Sequence, residues 1–139
     1  MRQNNNFWCI NYTNYLISTI DNMYHICCIL TMESLRIIIY ETKNHISPFN
    51  KWFENLEANI QRIIAAKLDR VSLGNFGDCE PIRESVYELK IHTGPGYKIY
   101  FGKKGNAIVI VLTAGLKRSQ KKDIEKPIEY WNLYKEYYG

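Results

Sequence analysis

The sequence predicts an α+β domain of order β-α-α-β-β-β-α. Three observations carry that class: a β-branched run early in the chain, two amphipathic helical patterns after it, and three closely spaced strand patterns before a last helix. The chain has 139 residues, enough for one domain and too few for a large multidomain enzyme. At 46% hydrophobic and 14% aromatic it can bury a core without disulfides or metal.

Each element follows from its residues. Ser34 to Glu41 (SLRIIIYE) is β-branched and aromatic and reads as a strand. Ser47-Pro48 supplies an N-cap with proline at the first helical position, and Phe49, Trp52, Phe53 and Leu56 follow at i, i+3, i+4 and i+7. A second helix carries Ile60, Ile63, Ile64, Leu68 and Val71 on one face and stops at Gly74, with the break between the two helices near Ala58–Asn59. Gly74 to Asp78 reads as a loop. Three strands are predicted at Val86–His92, Tyr97–Gly102 and Ala107–Ala114, linked by Gly94-Pro95-Gly96 and by Lys103 to Asn106. The third strand is apolar on both faces, so it is expected at the centre of the sheet, covered on each side. Ser119 is the expected cap of a last helix through Ile124, Ile128, Trp131 and Tyr134, kinked or restarted at Pro127.

Residues 1–31 differ in texture from the rest. They hold six Asn, five Ile and three of the four Cys but only two charges, Arg2 and Asp21. Polar interruptions exclude a signal peptide and a membrane span there. They read as an N-terminal extension, disordered or upstream of a natural start at Met32, with residues 32–139 as the working domain; the alternative is a helix that docks on the domain or on a partner. No two cysteines are spaced C-x-x-C, so neither a zinc site nor a thioredoxin-type motif is written, and a reducing, cytoplasmic location is the expectation.

The hairpin of residues 86–102 holds the most chemistry. Alternation puts Tyr87, Leu89, Ile91, Tyr97, Ile99 and Phe101 on one face and Glu88, Lys90, His92, Lys98 and Tyr100 on the other. A register pairing Ile91 with Ile99 and Leu89 with Phe101 sets His92 opposite Lys98 and Lys90 opposite Tyr100. From Leu89 to Lys122 no acid occurs, yet there are eight bases: Lys90, Lys98, Lys103, Lys104, Lys117, Arg118, Lys121 and Lys122. The segment is +8 and the remainder of the chain −4, a polarity that fits an anionic ligand such as nucleic acid. The plainer reading is that the lysines keep turns soluble. Metal-free RNA cleavage needs a base for the ribose 2′-hydroxyl, cations for the phosphorane and an acid for the leaving oxygen. His92 is the side chain suited to proton transfer near neutrality, although a lone histidine at a strand end is often only a surface residue. No acid and histidine cluster has metal-ligand spacing, so no metal or cofactor is expected.

Three stretches carry a resemblance: LGNFGD at Leu73–Asp78, ELKIHTGPGYKIYF at Glu88–Phe101 and AGLKRSQKKDI at Ala114–Ile124. They resemble the RelE/ParE superfamily of toxin–antitoxin toxins, in its HigB-like, phage-derived addiction module killer protein branch, across residues 34–135. The resemblance implies a twisted antiparallel sheet with two N-terminal helices packed on one side. It implies a toxin that cuts mRNA, commonly on the translating ribosome, and a helix-turn-helix, HigA-like antitoxin as partner. His92, Lys98, Lys90, Lys117 and Tyr100 are the implied catalytic set, with Lys103, Lys104, Arg118, Gln120, Lys121 and Lys122 as RNA contacts. Lys98 and Lys90 stand where the family has arginine, which keeps the charge and loses the bidentate fork. Tyr100 is expected to stack on a base or donate its hydroxyl, Tyr97 to lie in the core, and the Gly94 to Gly96 turn to let RNA backbone approach. A ParE-like gyrase inhibitor, or a decayed relative that only binds RNA or antitoxin, are the competing readings.

Overall fold

The computed structural model describes residues 34–118 and 124–139. The extension at residues 1–31 and the start at Met32 lie outside them, as do Ser119, Gln120, Lys121, Lys122 and Asp123. The described elements are β1 (Arg36–Ile39), α1 (Pro48–Glu54), α2 (Ala58–Ser72), β2 (Cys79–Arg83), β3 (Val86–Ile91), β4 (Tyr97–Lys104), β5 (Ile108–Leu116) and α3 (Glu125–Tyr138). The α+β class stands, with a five-stranded sheet of order β1-β5-β4-β3-β2.

That sheet is mixed, which corrects the antiparallel expectation. β1 pairs with β5 in parallel, Arg36 opposite Ile108 and Ile39 opposite Val111. Parallel pairing needs a long crossover, and the whole stretch between Ile39 and Ile108 supplies one. β5 is covered on both faces as expected, Val109 and Val111 facing one core and Ile110 and Leu112 the other. Its place is second from the edge, and β4 takes the centre.

The helices form where local chemistry says. The Ser47 side chain accepts a hydrogen bond from the Asn50 N–H at 3.1 Å, and Pro48 occupies the first turn of α1. The break before α2 falls at residues 55–57, slightly earlier than expected. α2 buries Ile64, Leu68 and Val71. Beyond it Gly74, at φ 84°, lets the Gly74 and Asn75 N–H groups return to the Val71 and Arg70 carbonyls. In α3, Pro127 does not kink the helix. It lies in the first turn, where a missing N–H breaks no intrahelical bond.

Two cores result. One includes Phe49, Ile64, Leu68, Val71, Leu89, Ile99 and Phe101, with Trp52, Phe53 and Ile60 packed against it. The other joins Val86, Ile110 and Leu112 to Ile128, Trp131 and Tyr134 of α3. α3 thus covers the sheet face opposite α1 and α2, close against Gly102, where a Cβ would run into the Trp131 ring.

β2 is absent from the sequence expectation, because Pro81 and its neighbouring charges argue against a strand. It is an edge strand, where proline is tolerated, and its register shifts between Pro81 and Arg83. Glu84 and Ser85, at φ 54° and 64°, make the two-residue turn into β3 without the glycine or asparagine that would have announced it.

The β3–β4 register differs from the expected one by two residues. Leu89 faces Ile99, Lys90 faces Lys98 and Ile91 faces Tyr97. The Gly96 N–H bonds the Thr93 carbonyl at 3.0 Å, with Gly94 at φ 57° and Gly96 at φ 83°, so residues 92–96 are taken up by the connection and His92 leaves the ladder. A slip of two residues preserves side-chain parity, and the expected division of the two faces survives.

Candidate functional site

A polar row crosses the sheet face on the side of α3. Glu80 of β2 lies opposite Glu88 of β3, which lies opposite Tyr100; Lys90 lies opposite Lys98. Like charges directly across a sheet repel. Diagonal pairs compensate here: Lys90 Nζ is 2.8 Å from Glu80 Oε1, and Lys98 Nζ is 3.5 Å from Glu88 Oε1. The bond to Glu80 raises the Lys90 pKa above the ordinary lysine value. These lysines are therefore each paired with a carboxylate. The acid-free segment meets Glu80 and Glu88 through neighbouring strands. Tyr100 is only 2% exposed, so it is not presented for stacking on a base. Tyr97 lies in the core as expected, edge-on to Trp52 at 5.9 Å.

At the end of the row three side chains converge. Asp78 precedes β2, His92 follows β3, and Lys117 follows β5. The Lys90 N–H bonds the Asp78 carbonyl at 2.9 Å, extending the β2–β3 pairing to bring Asp78 beside His92. The Lys117 N–H bonds the Gly96 carbonyl at 3.0 Å, which fastens Lys117 to the turn. A Cβ at Gly96, whose φ is 83°, would stand 3.0 Å from Cβ and Cδ of Lys117 and push the lysine stem aside.

His92 Nε2 is 2.5 Å from Asp78 Oδ2, and His92 Nδ1 is 3.0 Å from Lys117 Nζ. The hydrogen bond from His92, with the charges of Lys90, His92 and Lys117, holds the Asp78 carboxyl below the usual aspartate value. The His92 side chain is 54% exposed, so this end of the sheet is open to solvent. Such a trio can bind an anion and exchange a proton with it.

Of the expected site residues, the fold brings together His92, Lys117, Lys90 and Lys98, with exposed Arg118 next in the chain. It separates Lys103 and Lys104. They stand at the other end of β4, roughly 20 Å along the strand from Tyr97. There Lys103 Nζ lies 5.0 Å from the Phe76 ring centroid and Lys104 Nζ donates to the Tyr138 carbonyl at 2.8 Å. Gln120, Lys121 and Lys122 lie outside the described residues. Asp78 ends a predicted loop and carries no site signal in the sequence; only β2 brings it to His92.

Among the described residues no group of three His, Cys, Asp or Glu side chains is placed to hold a metal ion, and no helix is long and apolar enough to cross a membrane. Cys79 is a half-buried free thiol whose pKa burial pushes up. No family model matches the chain. It is 36% identical over 81 residues to a Haemophilus influenzae protein described as an uncharacterized protein, a match covering 56% of this chain and 80% of that one.

Proposed function

The chain belongs to the family of that Haemophilus influenzae protein, and we propose that it is the toxin of a type II toxin–antitoxin pair, an endoribonuclease that cuts mRNA. The observation that carries this reading is the exposed His92 ring, held between a carboxylate and an ammonium at the open end of a polar sheet face. His92 takes the proton of a ribose 2′-hydroxyl, and Lys117 and Arg118 offer charge to the phosphate as the oxygen closes on phosphorus. The ribosome is the proposed place of action, in the cytoplasm, and a helix-turn-helix antitoxin the proposed inhibitor.

The pairing of Lys90 with Glu80 and Lys98 with Glu88 favours a second reading, since it leaves fewer unpaired cations for RNA than the sequence suggested. A ParE-like gyrase inhibitor needs no proton-transfer group. Two assays on the purified chain separate the readings: cleavage of an mRNA on translating ribosomes, and supercoiling of relaxed plasmid by gyrase. Shortened mRNA with unaffected supercoiling is expected. Intact mRNA with blocked supercoiling would favour gyrase inhibition, and no effect in either assay a decayed, binding-only protein.

A further inference from the structure

The contacts around His92 determine which ring nitrogen carries the proton. A lysine ammonium has donors and no acceptor, so Lys117 Nζ donates and Nδ1 accepts. The single ring proton of neutral His92 then sits on Nε2, where the ionised Asp78 carboxylate accepts it. From this geometry we propose that Asp78 is a positioning residue that fixes His92 as the Nε2–H tautomer, making Nδ1 the atom that takes the substrate proton, and that Lys117 covers Nδ1 until an RNA phosphate draws it away. The chemical part rests on the ribonuclease reading above.

The step balances without further reagents. A phosphate oxygen accepts the Lys117 ammonium and uncovers Nδ1. The 2′-hydroxyl proton passes to Nδ1 while its oxygen forms the new bond to phosphorus. The bond from phosphorus to the 5′-oxygen breaks, and that oxygen keeps the electron pair and takes a proton from water. The products are a 2′,3′-cyclic phosphate and a 5′-hydroxyl, and the imidazolium returns its extra proton to solvent. Asp78 stays ionised throughout. Its contribution is to keep the ring oriented and to balance the charge that His92 acquires.

Long-range proton–nitrogen NMR of the full chain labelled with nitrogen-15, at a pH where imidazole is neutral, reads the tautomer directly, with His92→Gln identifying the signals. The expected spectrum has a hydrogen-bonded Nε2–H resonance and an unprotonated Nδ1. In Asp78→Ala the Nε2–H resonance is lost to solvent exchange, and in Asp78→Asn, whose amide oxygen is an uncharged and weaker acceptor, it exchanges faster than in the unmodified chain. Cleavage kcat falls about tenfold with KM within about twofold. Lys117→Met leaves the Nε2–H resonance in place and raises KM. A protonated Nδ1 in the unmodified chain overturns the proposal, and so does an Nε2–H resonance that survives both Asp78 substitutions. An unmodified chain that cuts no RNA contradicts the ribonuclease reading instead, and the ring resonances still decide what Asp78 does.

Discussion

His92 and Asp78 face one another across 14 positions of sequence, and each has a separable consequence. His92 is exposed and outside both cores, so His92→Ala is expected to lower mRNA cleavage at least about 100-fold while lowering the urea midpoint no more than loss of its partner Asp78 does. A larger fall in stability would mean that the ring is structural. For Asp78 the sign of the pH effect follows from its depressed pKa. The added stability is present above the ordinary aspartate value, 3.8, and is lost as pH falls through the lower folded value. The groups facing it, His92, Lys90 and Lys117, favour its ionised form. Urea midpoints of the wild-type chain and Asp78→Asn are therefore expected to differ at pH 7, with the gap narrowing as pH falls below the ordinary aspartate value. A gap that acid does not narrow would assign the stabilisation to something other than this charge. The alternation of residues 86–92 and 97–101 already placed His92 with Lys90 and Lys98 on one face. Asp78 was illegible because its approach depends on a strand that proline disguised.

At the scale of elements, α1 was readable because its signals are local: Ser47 caps, Pro48 starts, and Phe49, Trp52 and Phe53 repeat at helical spacing. Ser47→Ala is expected to cost about 1 kcal/mol, measured by chemical unfolding. The packing of α3 on β4 depends instead on a space that no pattern announces. Gly102→Ala puts a methyl group against the Trp131 ring and is expected to cost about 1–3 kcal/mol; a neutral result would mean that α3 rides further from the sheet. β2 and its turn carry no local signal for a related reason. Pro81 lowers strand propensity everywhere except at an edge, and Glu84-Ser85 adopts a left-handed turn without the usual residues. The register of β3 on β4 slipped by two because hydrophobic matching fixes parity, whereas the length of the connection through Gly94 and Gly96 fixes which pairs meet.

For the whole molecule, charge read along the chain and charge arranged in space are different quantities. The segment from Leu89 to Lys122 carries eight bases and no acid, yet Asp78, Glu80 and Glu88 reach it across the sheet, and Lys103 and Lys104 lie at the far end of β4. Among the described residues, His92, its two partners and the exposed Arg118 stand at one corner of the sheet. If this corner of the sheet cuts mRNA through His92, the cuts appear as new transcript 5′ ends when the chain is induced in a bacterium, and His92→Ala removes them. New 5′ ends confined to translated frames, and absent with His92→Ala, are expected. Transcripts that stay intact while growth stops, or cuts that persist without His92, would contradict cleavage through His92.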